Sequence, residues 1–239
     1  MFDWKETNPA VVKKLEKYCH ELLELNKDNI SSINILKDTF HPDQSHTKLV
    51  VIIKNLEFSF LKNNLKHVSG GASKGIIAPL FLTIEHIESS ADVFPIEFLD
   101  MKRRIVAIYG EDIFKNININ HENLRLQCEQ SLKGKLIRIR QAYLEIGLVE
   151  KSIKRLIEES YESLVPVFVG LLSLKGKEIP QREKDMLMLL EATFGIKNDV
   201  LIEADKMTFK LLKGIELEKF LSNYLDVILK YALAADKAL

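Results

Sequence analysis

The sequence predicts an α+β protein in which a mixed β-sheet domain with helices is followed by an all-α helical bundle. In the first half, helical periodicity alternates with short apolar runs rich in β-branched residues, which are typical of strands. From about His121 onward, apolar residues recur only at helical spacing. Glycines that favour helix C-termini fall near the breaks in that pattern, at Gly147, Gly176, Gly195 and Gly214. We therefore place the two domains at residues 1–120 and 121–239.

The chain begins with an amphipathic helix and two strands. Over residues 8–26, Val11, Leu15 and Leu22 share one face, and Pro9 suits the first turn of a helix. Residues 32–37 alternate apolar with polar side chains, and Leu49-Val-Val-Ile-Ile53 is continuously apolar. The second of these strands is therefore expected to be buried on both faces.

The rest of the first domain contains one break and three further elements. Ser69-Gly-Gly-Ala-Ser-Lys-Gly75 has the composition of a flexible loop. Residues 83–90 are expected to form a short helix, Val93–Leu99 a third strand and Ile105–Tyr109 a weaker strand that ends at Gly110.

Five helices are expected in the second half. Five helices in a segment of this length are typical of a helical bundle. No extended linker separates the bundle from the first domain. The expected helices cover residues 121–146, 149–175 with a bend at Pro166, 180–193, 198–213 and 215–236.

The composition of the chain limits the kinds of partner that we expect it to bind. The chain has 34 basic and 34 acidic residues, and neither half carries the basic excess of a dedicated nucleic-acid-binding protein. The longest uncharged apolar stretch, Ser163 to Leu174, is shorter than the roughly 20 residues that cross a bilayer. Cys19 and Cys128 lie in helical patterns outside any metal-binding spacing, so we expect free thiols and no structural zinc. We expect a cytoplasmic protein without a membrane partner.

Several stretches resemble the nucleotidyltransferase superfamily, and in particular a group of bacterial nucleotidyltransferase-like proteins. They are the segment from Ala78 to Asp100, Ile108-Tyr-Gly-Glu-Asp-Ile-Phe114 and Leu126-Gln-Cys-Glu-Gln-Ser-Leu-Lys-Gly-Lys-Leu136. The order of elements, from a first helix through strands to a helical bundle, also looks like that superfamily. The resemblance implies a nucleotidyltransferase-like sheet domain, a nucleotide or small-molecule ligand and, in active members, divalent metal.

The metal-binding motif of active members is not present where the resemblance places it. Such enzymes carry Gly-Ser after the first strand and an Asp-x-Asp pair at the start of the next, because Mg²⁺ prefers carboxylate oxygens. Here the corresponding positions read Leu36-Lys37-Asp38 and His46-Thr-Lys-Leu49. In residues 1–120 no two acidic residues have a single residue between them, as the Asp-x-Asp pattern requires. We expect no metal site, with Mg²⁺ required only if the chain is an active enzyme.

Glu97 is the candidate for a vestigial catalytic carboxylate. Within the expected strand Pro95-Ile-Glu-Phe98 it stands where the resemblance implies a third acidic residue, and Asp100 would face the other side of that strand. An ordinary polar residue at the edge of a strand is the alternative interpretation of Glu97.

Further residues are candidate ligand contacts. Lys37 and Asp38 occupy the position of the missing Gly-Ser pair. In the glycine-rich loop, Ser69, Gly70, Gly71 and Lys74 could bind phosphate through backbone amides and charge, or form a plain surface loop. Lys133 and Arg140 share a side of the first bundle helix and would either contact phosphates or form ion pairs.

Three hypotheses of function follow. The first is a catalytically degenerate nucleotidyltransferase-like protein that binds a nucleotide or serves as an interaction module. The second is an active metal-dependent enzyme that transfers a nucleoside monophosphate to a hydroxyl acceptor, using Glu97, Asp100 and Asp38 or Asp43. The third is a homo-oligomeric interaction protein that associates through residues 163–174 or through the last helix.

Overall fold

The computed structural model describes residues 2–5, 7, 9–37 and 46–237. The chain divides into two compact units. The first unit contains residues 1–91 and 101–118, and the second contains residues 92–100 and 119–239. The second unit is therefore built from two separate stretches of sequence.

A mixed four-stranded sheet forms the centre of the described part of the first unit. Its strands are β1 (Ile30–Leu36), β2 (Lys48–Ile53), β3 (Leu80–Thr83) and β4 (Ile105–Tyr109), in the spatial order β3-β2-β1-β4. β1 pairs antiparallel with both β2 and β4, whereas β2 and β3 are parallel. Gly110, with φ of +72°, ends β4 where a Cβ would lie 2.1 Å from a backbone oxygen, so the turn requires glycine.

Among the described residues of the first unit, three α-helices accompany the sheet: α1 (Pro9–Asn26), α2 (Phe58–Ala72) and α3 (Ile84–Ser90). The apolar face of α1 supplies Leu15, Cys19 and Leu22 to a core that also contains Ile33 and Val51 of the sheet. Burial of this face explains why a helix with charged residues on its other side forms here.

The described residues of the second unit form helices joined by loops and contain no strand. After α4 (Pro95–Arg104), which runs from the second unit into the first, the helices are α5 (His121–Ile146), α6 (Glu150–Glu162), α7 (Val165–Leu174), α8 (Glu183–Phe194), α9 (Asp199–Asp205) and α10 (Gly214–Asp236). Short 3-10 helices occupy Lys27–Asn29, Ile113–Asn116 and Thr208–Leu211. None of the described helices is both long and apolar enough to cross a membrane.

The α+β fold class predicted from the sequence is confirmed, and four local assignments are wrong. Residues 93–99 are not a strand, because Pro95 begins α4. Residues 69–72 are not a loop but the last turn of α2, a helix that the sequence analysis did not assign. The expected helix over residues 149–175 is interrupted between Glu162 and Val165, so that α6 and α7 are separate. The expected helix over residues 198–213 is also divided: α9 ends at Asp205, and a 3-10 helix follows over Thr208–Leu211.

The apolar segment 163–174 lies inside the second unit. Val167, Phe168, Leu171 and Leu172 of α7 are all buried. The density of apolar residues in α7 therefore builds the core, and these side chains are not available as an association surface.

Candidate functional site

Basic residues from three adjacent strands lie at one end of the sheet. In the strand register Leu36 lies opposite Lys48 on β2 and opposite Ile105 on β4. Lys37 and Arg104, the next residues along β1 and before β4, are joined by two hydrogen bonds. The Lys37 amide donates to the Arg104 carbonyl at 3.0 Å, and Arg104 Nε donates to the Lys37 carbonyl at 2.6 Å. Three adjacent strands thus bring Lys37, Lys48 and Arg104 to the same end, which we call the basic sheet end, together with His46.

The basic sheet end is where the resemblance places a metal-binding pair. His46 and Lys48 are both exposed at the start of β2, and they are separated by one residue, as the two carboxylates of Asp-x-Asp are. Within the described residues no group of three His, Cys, Asp or Glu side chains could hold a metal ion. Asp38 and Asp43, the proposed substitutes, lie outside the described residues.

Glu97 and Asp100 lie on helix α4, which corrects the expected strand placement. Pro95 suits the first helical position, Glu97 lies in the first turn, and Lys102, Arg103 and Arg104 fill the last turn. This distribution of charge suits the helix dipole. On a helix, residues three apart share a face, so Glu97 and Asp100 line one cavity rather than opposite sides of a strand.

The Glu97 carboxylate is held by Gln127 of α5. Gln127 Nε2 donates to Glu97 Oε2 at 2.7 Å, and Gln127 Oε1 accepts from the Ile96 amide at 2.7 Å. A single amide side chain thus caps the start of α4 and fixes the carboxylate. Glu97 is exposed, and its role as a vestigial catalytic residue stays a prediction.

The cavity beside Glu97 has basic groups on its other wall. It has a volume of about 370 Å³ and is lined by Lys135 and Arg138, three residues apart on α5. Burial lowers the pKa of Lys135, and the nearby positive charge of Arg138 lowers it further. The cavity therefore combines two acidic and two basic side chains, a pattern that suits a polar ligand.

Lys133 and Arg140, the residues favoured by the sequence, do not line this cavity. Lys133 forms an ion pair with Glu129, which Arg125 also contacts at 2.9 Å. This contact raises the pKa of Lys133 and, together with Arg125, lowers the pKa of Glu129. Lys133 is therefore engaged in an ion pair, whereas Arg140 is exposed. A phosphate-binding role for either residue stays a prediction.

The backbone amides of residues 73–76 are already hydrogen-bonded. The Ser73, Lys74 and Ile76 amides donate to the Gly71 carbonyl, and the Gly75 amide donates to the Ala72 carbonyl. These bonds close the end of α2, so the phosphate cradle expected from Ser69, Gly70, Gly71 and Lys74 is not formed by these amides. A ligand at the end of α2 would therefore contact side chains rather than these amides.

Sequence reasoning overlooked the basic residues that the fold collects. Arg104 belongs to no motif, and Lys135 and Arg138 do not continue the side of the helix that Lys133 and Arg140 share. The spacing of Lys135 and Arg138 was a usable signal, since it puts both on one helical face. Arg104 joins Lys37 and Lys48 only through strand pairing, which no local pattern reveals.

Comparison with known proteins identifies the fold. No protein-family model and no curated protein matches the chain. Among solved structures, it is similar to the spectinomycin adenyltransferase of Enterococcus faecialis, determined with ATP and spectinomycin. The TM-score is 0.53 at 11% identity, over 95% of this chain and 98% of that chain. The chain therefore has a nucleotidyltransferase-like fold.

Proposed function

We propose that the chain binds a nucleoside triphosphate without metal-dependent nucleotidyl transfer, as a catalytically degenerate member of its fold class. The observation that carries the proposal is the basic sheet end. Lys48, with His46 beside it, stands where transfer chemistry needs a carboxylate pair.

The charges at the basic sheet end favour a bare polyphosphate. Lys37, Lys48 and Arg104 come from three adjacent strands, so the sheet holds their backbones at fixed spacing. Charge-assisted hydrogen bonds from lysine and arginine to phosphate oxygens are strong and need no metal bridge. The same positive charges repel Mg²⁺, which lowers the affinity for a metal-bound nucleotide relative to the free one.

A second candidate is the active transferase. The placement of Glu97 and Asp100 along one cavity gives two carboxylates that could serve chemistry with a third ligand. Against it, Glu97 already accepts a hydrogen bond from Gln127. The solved relative was determined with ATP, which makes ATP the first nucleotide to test for either candidate.

Calorimetry with ATP tests the proposal in two buffers, one with EDTA and one with excess Mg²⁺. We expect saturable binding in EDTA, weaker binding in Mg²⁺, and no release of pyrophosphate. Lys48→Glu should weaken binding by about tenfold or more, which corresponds to the loss of a charge-assisted contact.

Lys54→Glu is the matched control, because Lys54 is exposed just beyond the opposite end of β2. It makes the same change in net charge and should leave ATP binding unchanged. Binding that strictly requires Mg²⁺, or release of pyrophosphate, would favour the active transferase. Absence of ATP binding in both buffers would contradict the proposal.

A further inference from the structure

A cavity of the first unit lies between α1 and α2, and the basic sheet end does not use it. Its volume is about 630 Å³. One wall belongs to α1 and the other to α2 and the residues that follow it. The lining side chains used below are Tyr18, Glu21, Glu24, Lys66, His67 and Lys74.

Two buried polar atoms at this cavity lack a partner. The Tyr18 hydroxyl and His67 Nε2 make no hydrogen bond within the described residues, and Tyr18 is only 1% exposed. The two rings stack with their centroids 4.1 Å apart, so the unpaired atoms belong to one aromatic pair. Buried polar groups are nearly always hydrogen-bonded in native proteins, so this pair calls for a missing partner.

The chemistry of that partner follows from the protonation of His67. Burial lowers the pKa of His67, and the Glu21 carboxylate and the Tyr18 backbone only partly oppose this effect. The imidazole is therefore neutral near pH 7, with Nδ1 3.8 Å from Glu21 Oε2. A proton on Nδ1 leaves Nε2 as an acceptor, whereas the Tyr18 hydroxyl can donate. A hydroxyl or a primary amide would satisfy both atoms.

The two walls carry opposite charge. Glu21 and Glu24 lie on α1, whereas Lys66 and Lys74 lie on the other wall. Within the described residues the side chains of Glu24, Lys66 and Lys74 make no ion pair or hydrogen bond, so these walls do not neutralise each other by direct contact. Glu21 is contacted by Lys17 at 3.7 Å and by His67. A ligand with a positive and a negative end would match both walls.

We propose that this cavity binds a free α-amino acid whose side chain carries a hydroxyl or an amide. The ammonium group would face Glu24 on α1, and the carboxylate would face Lys66 and Lys74. The side chain would reach the stacked rings of Tyr18 and His67. This site differs from the basic sheet end in both position and ligand.

Gly70 offers a way to close the cavity without removing any binding group. It lines the cavity, and a Cβ built there would meet no atom within 4 Å. Gly70→Leu should therefore fold and fill part of the space. Gly134→Leu is the control, since Gly134 lies in a helix of the second unit and its Cβ would also meet no atom within 4 Å.

The experiment is calorimetry of the full chain with L-serine, L-threonine, L-asparagine and L-glutamine, with L-alanine for comparison. We expect at least one polar amino acid to bind saturably, and L-alanine to bind about tenfold more weakly, because it leaves both buried atoms unpaired. Gly70→Leu should abolish binding, and Gly134→Leu should retain it. Failure of all four polar amino acids to bind overturns the proposal, as does unchanged binding by Gly70→Leu.

Tyr18→Phe provides a second test that separates a ligand role from a structural one. Without ligand, the variant should melt at the same temperature as the parent or higher, because it loses a buried hydroxyl that has no partner. It should also lose the preference for polar amino acids over L-alanine. A lower melting temperature with an unchanged preference would contradict the proposal. ATP binding should survive in both the Tyr18 and the Gly70 variants.

Discussion

At the scale of single residues, a tyrosine and a glutamate form a buried pair inside the second unit. The Tyr161 hydroxyl of α6 donates a hydrogen bond to Glu183 Oε1 at the start of α8, and both residues are buried. Burial, followed by the negative charge of Glu183, raises the pKa of Tyr161. The pair thus keeps a neutral donor next to a buried acceptor and ties α6 to α8.

Tyr161→Phe should lower the free energy of unfolding by about 1 to 3 kcal/mol, because it removes a donor from a buried carboxylate. Urea unfolding monitored by circular dichroism measures the change. Tyr143→Phe is the control, since Tyr143 is half-buried on α5 and its hydroxyl makes no hydrogen bond to another described residue. The control should change stability by less than about 0.5 kcal/mol. Equal effects of the two substitutions would contradict this role of the pair.

At the scale of elements, α5 and α7 approach closely at Gly170. A Cβ at Gly170 would lie 2.8 Å from Cys128 Sγ and 3.4 Å from Leu124 Cδ1. The absence of a side chain therefore permits the close packing of α7 against α5.

Gly170→Ala should destabilise the chain by about 1 to 3 kcal/mol, because the added methyl group overpacks this contact. Gly134→Ala on α5 makes the same chemical change in open space and should stabilise the helix by up to about 1 kcal/mol. Thermal unfolding of the two variants gives the comparison. The same sign of effect in both would show that helix propensity, and not packing, governs Gly170.

Elements with strong periodicity were predictable from the sequence, whereas those set by tertiary contacts were not. Residues 121–146 and β2 fold as expected, because their apolar pattern matches the face they bury. Helix α2 was missed although Phe58, Leu61 and Leu65 recur at helical spacing. These apolar residues lie on its exposed side, and Phe58 is 81% exposed. The apolar run Val93–Leu99 suggested a strand, although Pro95 and Glu97 already carried the signal of a helix start.

The candidate site was predictable only in part for the same reason. The absence of Asp-x-Asp is a property of the sequence and could be established there. The gathering of Lys37, Lys48 and Arg104 depends on the register of β1 with β2 and β4. Positions 67 residues apart, such as Lys37 and Arg104, become neighbours only once the sheet is formed.

At the scale of the whole molecule, buried thiol and tyrosine hydroxyl groups should make the free energy of unfolding decrease at alkaline pH. Burial raises the pKa of Cys19, Cys128 and Tyr18 to about 12. The folded chain therefore retains protons that the unfolded chain releases above its ordinary thiol pKa of about 9 and tyrosine pKa of about 10. Their contribution to stability is fully present below those values and is lost as pH rises towards 12.

The free energy of unfolding should accordingly fall between about pH 9 and 11, by about 1.4 kcal/mol per pH unit for each group that ionises only in the unfolded chain. Urea midpoints measured across this range test the slope. Cys128→Ala removes one of these thiols, so the free energy of unfolding of this variant should fall less steeply with pH. A free energy of unfolding that stays constant up to pH 11 would contradict the pKa shifts.

The division of the second unit into two stretches of sequence has a consequence for synthesis. Residues 92–100 leave the ribosome before the bundle with which they fold, and residues 101–118, which follow them, complete the first unit. The buried Ile96, whose amide donates to Gln127 of α5 and whose side chain lies beside Gly170 of α7, must therefore wait for these helices to be made. Substitutions between residues 92 and 100 would thus impair the maturation of the C-terminal bundle, although they lie among the codons of the N-terminal half.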